Sequence, residues 1–288
     1  MSFCMKKFLV CTDGSNYADV CYEYAIWLAR RLDADIEVLY VSDMRQFEIS
    51  MVADFSGSLG VQPYQSVYSQ MQDLEKEKVT VIRKQTEDFF KKHHFLPHLK
   101  FSNRTGDLID AFEEFEDDPY GIDLIFIGKQ GENASKATEH FGSTLERVTR
   151  SSKKPCFIAP KAFNPVQKIL LAYDGSTSTN KALQFLERIN KFKDLEVHLV
   201  TVDDDYDQDA ASAVLSHAKK ALESSGYTIK CQLLQGDVED NILQYIKQEK
   251  IELMVMGAYG DSALKHLFVG STTTELVRRC TVPILLFR

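Results

Sequence analysis

Residues 256–287 read MGAYGDSALKHLFVGSTTTELVRRCTVPILLF, and their spacing could do chemistry. Gly257 is followed by two residues and Gly260, then by nine residues and the triplet Gly270-Ser271-Thr272. Glycine gives up side-chain packing and leaves the main chain bare, so oxygen atoms can come close to it. A helix opening at Ser271 would present free backbone N–H groups and the positive end of its dipole to an anion. The hydroxyls of Ser271 and Thr272 could donate to the same group. The pattern therefore points to a phosphate; Lys265 and His266 lie inside the loop, where Lys265 could screen phosphate charge or simply be a solvated side chain.

Such a loop needs a scaffold, and the chain repeats one. KKFLVCTDGS near the start answers QKILLAYDGS, which sets Asp13 against Asp174. IEVLYVSD answers LEVHLVTVDD and sets Val41 against Val202 at the same separation along the chain. RTGDLIDAF matches LQGDVEDNIL, DLIFIGKQG matches ELMVMGAYG, and GSTLERVTRSSKKPCFIAP matches GSTTTELVRRCTVPILLF. By Gly128 and Gly257 the separation has shortened, so the first half carries extra residues in its middle.

Short Val/Ile/Leu-rich runs at 7–12, 36–41, 98–102, 123–127 and 155–159 suit strands covered on both faces. The second half repeats them near 168–173, 195–202, 228–234, 252–256 and 283–287. Helical patterns such as ADVCYEYAIWLARRL and NKALQFLERINKF stand between them. Alternating elements imply right-handed βαβ crossovers. The expected fold is α/β: two tandem open, mostly parallel five-stranded sheets flanked by helices and related by a pseudo-two-fold. PKAFNPVQ is the expected linker, giving domains 1–162 and 163–288. The closing strands CFIAP and PILLF are short and apolar enough to pair edge to edge. The extra stretch MRQFEISMVADFSGSLGVQPYQS leads into a charged helix with Val67, Met71, Leu74, Val81 or Ile82, and Phe89 at helical spacing. It reads as a helix covering the sheet, with a gating loop as the sharper alternative.

In such sheets ligands bind beyond the carboxyl ends of the strands, where chain order reverses. Asp174, Val202 and Gly257 end three second-half strands there. Asp13, Ser15, Ser176, Asp107 and Asp237 also suit helix starts. Trp27 falls on an apolar helix face. His93, His94 and His98 cluster at a helix end without acidic or cysteine company.

At 288 residues the chain suits two domains, and its 44% apolar and 26% charged content is that of a globular protein. The formal net charge of −8, with no Lys/Arg stripe, disfavours a nucleic-acid partner. No apolar run is long enough to span a membrane, and MSFCMKKFLVCTDGS reads as a first strand rather than a signal peptide. Six cysteines without a CxxC pair suggest a reducing cytoplasm. No P-loop, G-x-S-x-G elbow or pyrophosphatase-type SGG-x-D-S loop is present, so an enzyme beyond slow ATP hydrolysis is not expected.

The combined pattern resembles the universal stress protein family. Gly257-x2-Gly260-x9-Gly270-Ser271 is similar to that family's G-x2-G-x9-G-[S/T] loop, and ILLAYDGS and VPILLF resemble its opening and closing strands. The resemblance runs over nearly all of both halves and identifies a tandem member. It implies a Rossmann-like, adenine nucleotide alpha hydrolase-like domain that binds ATP, alone or with Mg2+, and pairs with another such domain. Under it Asp174 lies by the ribose or a phosphate-bound metal, and Val202 and Met256 flank adenine. Gly257 and Gly260 line the phosphate path, while Gly270, Ser271 and Thr272 hold its far end. Asp261 departs from the basic or neutral residue usual after the second glycine and calls for a cation between it and the phosphates. In the first half the matching residues are Asp13, Val41, Gly128, Gly131, Gly142 and Ser143. There ten residues separate the last two glycines, which leaves either a reshaped site or a degenerate one kept for pairing; the latter is favoured. The implied role is a cytoplasmic stress-response protein modulated by nucleotide in its C-terminal domain. The alternative is a non-catalytic tandem scaffold or interaction protein with a vestigial site; besides the pairing of its own two domains, a homodimer of two such chains is an expected partner arrangement.

Overall fold

The computed structural model describes residues 5–44, 62–116, 121–129, 143–189, 191–204, 206–258 and 271–288. Strands β1 (Lys7–Thr12), β2 (Asp35–Ser42), β3 (Leu99–Thr105), β4 (Leu124–Gly128) and β5 (Cys156–Ala159) form the first half. Its helices are α1 (Asn16–Leu32), α2 (Gln62–Lys92), α3 (Leu108–Glu116) and α4 (Ser143–Ser151). The second half contains β6 (Lys168–Ala172), β7 (Glu196–Asp203), β8 (Ile229–Gln235), β9 (Leu253–Gly257) and β10 (Ile284–Phe287). Its helices are α5 (Thr177–Arg188), α6 (Gln208–Ser224), α7 (Val238–Glu249) and α8 (Ser271–Arg279).

The inner strands β1, β4, β5, β6, β9 and β10 are mostly apolar because both faces are covered, whereas β3 and β8 at the sheet edges carry exposed polar residues. In β1, Phe8 and Val10 pack under α1 and α2, while Leu9 packs under α3 and α4. All three are fully buried. The second half repeats the arrangement with α5 and α6 on one face and α7 and α8 on the other. Within each half every strand pairing is parallel.

The two five-stranded halves join into one ten-stranded sheet of order β3-β2-β1-β4-β5-β10-β9-β6-β7-β8. Chain order reverses between β1 and β4 and again between β6 and β9, the positions beyond whose carboxyl ends such sheets take their ligands. The joint is antiparallel, with Leu285 opposite Phe157 and Ile284 opposite Ile158. Beside it Trp27 stacks on Phe192 at 6.2 Å, and Arg31 makes a fork to both oxygens of Asp194 at 2.8 Å. Tyr24 accepts a bond from the Asn164 amide at 3.0 Å. Trp27 is thus half-buried packing between the halves.

Helix α2 presses Ile82 onto the turn after β1, where a Cβ on Gly14 would lie 2.8 Å from the isoleucine. Val214 of α6 takes the same place over Gly175 at a looser 3.4 Å. Starting at Gln62, α2 has about fourteen more residues ahead of that contact than α6 has, or roughly 20 Å of helix. The stretch feeding it, residues 45–61, lies outside the described residues, so the gating-loop alternative is not addressed there.

One buried position differs in kind between the halves. Glu37 of β2 sits opposite Leu9 and Lys100, and its counterpart His198 of β7 sits opposite Leu170 and Lys230. His198 is satisfied on both ring nitrogens, by Tyr245 Oη and Glu196 Oε1 at 2.8 Å each. Glu37 accepts from Ser102, has Lys100 Nζ 2.9 Å from Oε1, and has Lys7 Nζ 3.0 Å from Oε2, an ion pair without hydrogen-bond alignment. Burial pushes its pKa up, but Ser102, Lys100 and Lys7 together outweigh that and hold it below the ordinary glutamate value. A depressed carboxylate contributes stability that is present above its unfolded pKa and lost as pH falls through the folded one. Glu37→Gln is therefore expected to cost about 1–3 kcal/mol at neutral pH. The loss should shrink as the medium is acidified below the usual glutamate range, which urea unfolding at a series of pH values would show.

Candidate functional site

The second-half crevice is assembled from β6, β7, β9 and the helices that follow them. The Tyr173 amide donates to Val200 O at 2.9 Å and Thr201 Oγ1 donates to Tyr173 O at 2.8 Å, so the chain leaves β6 in a fixed direction. Asp174 then folds its carboxylate over the turn. Its Oδ1 accepts from the Ser176 amide at 2.9 Å and from Thr179 Oγ1 at 2.7 Å. Gly175 takes φ +79°, a conformation that side chains resist. Ser176 caps α5 by accepting from the Thr179 amide at 3.3 Å. Asn180 binds Gly175 O at 2.8 Å and accepts from Tyr173 Oη at 2.7 Å, locking the turn from its other side. Asp174 remains solvent-exposed, with its carboxylate at the mouth of the crevice.

Gly257 ends β9 directly against α5. A Cβ there would lie 2.8 Å from both the Thr179 backbone nitrogen and its Cγ2, and would also collide with Ser178. The start of α5 thus already demands a bare residue at this position. Met256 is 5% exposed and packs in the core beneath α7 and α8, whereas Val202 is only partly buried. Ser271 opens α8 and Thr272 is partly exposed, while buried Thr273, Leu276 and Val277 fasten the helix to the sheet. Gly260 and Gly270, with Asp261, Lys265 and His266, lie outside the described residues.

The rim is acidic. Asp203 is buried and accepts from the Asp207 amide at 2.8 Å, and Asp204 lies exposed beside it. Burial, and then the charge of Asp174, push the Tyr173 phenol up. Among the described residues no three His, Cys, Asp or Glu side chains stand together so as to hold a metal ion.

The first half brings Asp13, Val41, Gly128 and the start of α4 at Ser143 to the matching strand ends; Gly131 and Gly142 lie outside the described residues. Asp13 Oδ1 accepts from the Ser15 amide at 2.9 Å. Ser15 stands at the N-cap of α1, yet its hydroxyl makes no cap bond and is buried without a partner. Ala18 occupies the place of Thr179, so the side-chain hydroxyl bonds of the second half have no counterpart, and the Ala18 amide goes to Ser15 O at 3.0 Å rather than to the hydroxyl. Asp237 caps α7 by accepting from the Asp240 amide at 2.8 Å. Asp107 accepts from Ile109 at 2.7 Å and receives both oxygens' bonds from Arg147 at 2.8 Å. His93 stacks on Phe89, and His98 pairs with Asp35. Sequence reasoning missed Thr179 and Asn180, although the spacing Asp-Gly-Ser-x-x-Thr-Asn was available as a signal.

The family profile described as the Universal stress protein family matches residues 5–160 and again residues 165–288. Universal stress protein Slr1230 of Synechocystis sp. is 38% identical over 290 residues, covering 99% of this chain and 100% of that protein. A universal stress protein of Thermus aquaticus is 33% identical over 133 residues, covering 42% of this chain and 97% of its own. Among solved structures, a universal stress protein from Archaeoglobus fulgidus superposes with a TM-score of 0.75 at 20% identity, covering 99% of both chains.

Proposed function

The chain belongs to the universal stress protein family, and on that footing we propose that it binds ATP in the second-half crevice, with occupancy modulating a stress response. The observation that carries this reading is a convergence at one switch point between β6 and β9. The locked Asp174 turn and the bare strand end at Gly257 meet there at the start of α5, and α8 opens at Ser271 between β9 and β10. Val202 and Met256 would bracket adenine, Gly257 and Gly260 would line the phosphates, and Gly270, Ser271 and Thr272 would receive the last of them. The exposed Asp174 carboxylate would face a Mg2+ ion accompanying the nucleotide, most of whose ligands the phosphates and water would supply. When bound, that ion would offset phosphate charge, and Asp174 would be the residue to meet it.

In this reading residues 1–162 and 163–288 act as two domains, and the first serves pairing more than ligand binding. Ile82 crowding Gly14 and the idle Ser15 hydroxyl support that division. The five described cysteines are free thiols, which fits a cytoplasmic setting. Among the described residues no helix is long and apolar enough to cross a membrane. Isothermal titration with ATP and Mg2+ should give saturable binding, and Asp174→Ala should weaken it about tenfold, the scale of a lost charge-assisted contact. Protein that carries no adenine nucleotide from purification and binds none on titration would overturn the proposal.

One observation favours the scaffold reading. The start of α5 alone accounts for Gly257, and the antiparallel β5–β10 joint already makes a paired unit without any ligand. Gly260→Val with Gly270→Val separates the two: a scaffold keeps its cellular role in that variant and a nucleotide-dependent protein loses it.

A further inference from the structure

This inference rests on the second-half crevice being the nucleotide site, and it concerns a lysine from the other half. Lys129 follows Gly128 at the end of β4. Its amide donates to Ala159 O at 2.9 Å, so its main chain is fixed by β5. Its side chain crosses the joint and donates from Nζ to Cys280 O at 2.6 Å. Cys280 stands one residue past α8, with its own amide bonded to Leu276 O at 2.8 Å. A first-half ammonium therefore caps the carbonyl end of the helix whose amide end faces the second-half crevice. At the equivalent second-half position stands Ala258, buried and uncharged. Cross-capping in the other direction comes instead from Arg288, which donates to Arg150 O at the end of α4.

We propose that Lys129 is a positioning residue through which the first half sets the nucleotide affinity of the second. Helix α8 has nine residues, a length at which fraying is easy and end contacts matter. A cation at its carbonyl end and an anion at its amide end both act favourably on the same dipole. The cap also holds the amides of Ser271 and Thr272 where phosphate would meet them. Because Lys129 adjoins Gly128, whatever settles in the first crevice bears on the second through one side chain. The two crevices are thus linked by a short covalent and hydrogen-bonded path, rather than by motion of whole domains.

The lysine's environment supplies a readout that bare structural support would lack. Burial pulls the Lys129 pKa below the ordinary lysine value; the Cys280 thiol just past α8 opposes this, and Lys161 in the connecting segment adds to it. Charge on the cap is then lost as pH rises through that lowered value, whereas an arginine would stay charged.

The test titrates the full chain with ATP and Mg2+ from neutral to alkaline pH, in wild type, Lys129→Met and Lys129→Arg. Lys129→Met should weaken binding about three- to tenfold at neutral pH. Wild-type affinity should fall at alkaline pH, and Lys129→Arg should remove that fall while keeping neutral-pH affinity. Equal affinities for wild type and Lys129→Met would overturn the inference, as would matching pH profiles for wild type and Lys129→Arg. Absence of ATP binding by the wild type itself would instead overturn the site on which the inference rests.

Discussion

Replacing Gly257 with valine is expected to abolish ATP binding and to destabilise the chain by about 1–3 kcal/mol, the usual cost of forcing atoms into a packed place. The new Cβ alone would sit 2.8 Å from the Thr179 amide nitrogen, which belongs to backbone and cannot rotate away. Relief requires α5 to lift from β9. That movement would break the Ser176 cap and the Thr179 bond to Asp174 Oδ1, because both depend on where Thr179 stands. The carboxylate placed at the crevice would then lose its fixed orientation. Calorimetry with ATP and Mg2+ would measure the binding, and urea unfolding the stability. Gly257→Ala separates packing from ligand contact, since it adds the colliding atom and nothing more. If Gly257→Ala unfolds like wild type, the close approach is softer than its geometry says, and the glycine's role belongs to the ligand.

Much of this arrangement was legible in the residues. Runs such as FLVC and ILLA are apolar at every position, which only a sheet covered on both faces rewards, and they repeat with their turns. Asp237 could be read as a cap from its Gly-Asp context, and the structure uses it so. The Ser15 hydroxyl looked identical to that of Ser176 but stays unbonded: the Ala18 amide donates to Ser15 O, and Ala18 lacks the hydroxyl that Thr179 brings to Ser176. Gly257 shows a different limit. Spacing marks where a bare main chain occurs, but two neighbours compete for it, a ligand and the start of α5, and only the fold reveals the second. Contacts across the joint are less legible still. Arg31 with Asp194, and Lys129 with Cys280 O, join residues far apart in the chain that follow no periodicity. Their pairing follows from two sheets meeting at β5 and β10, which the short apolar closing strands permit without dictating.

That meeting of sheets sets the second large effect. Phe157→Ala is expected to destabilise the protein by about 3–5 kcal/mol, as for other large-to-small changes in a closed core. Phe157 is fully buried on β5, stacks on Phe126 at 4.8 Å and lies 5.3 Å from Tyr24. Across the joint it stands opposite Leu285 of β10. The cavity would therefore open at the seam, in a cluster whose members come from both halves, including Phe8, Val10, Leu285 and Phe287. Two domains resting lightly on each other would respond separately, with one urea transition lowered and one unchanged. A ten-stranded sheet with a shared core should respond as a unit, with a single transition moving to lower denaturant. Fluorescence of Trp27, packed against Phe192 of the other half, should follow that same transition. A second transition left at the wild-type midpoint would show that the joint couples the halves weakly. It would also undercut any influence of the first crevice on the second, since both depend on the same seam.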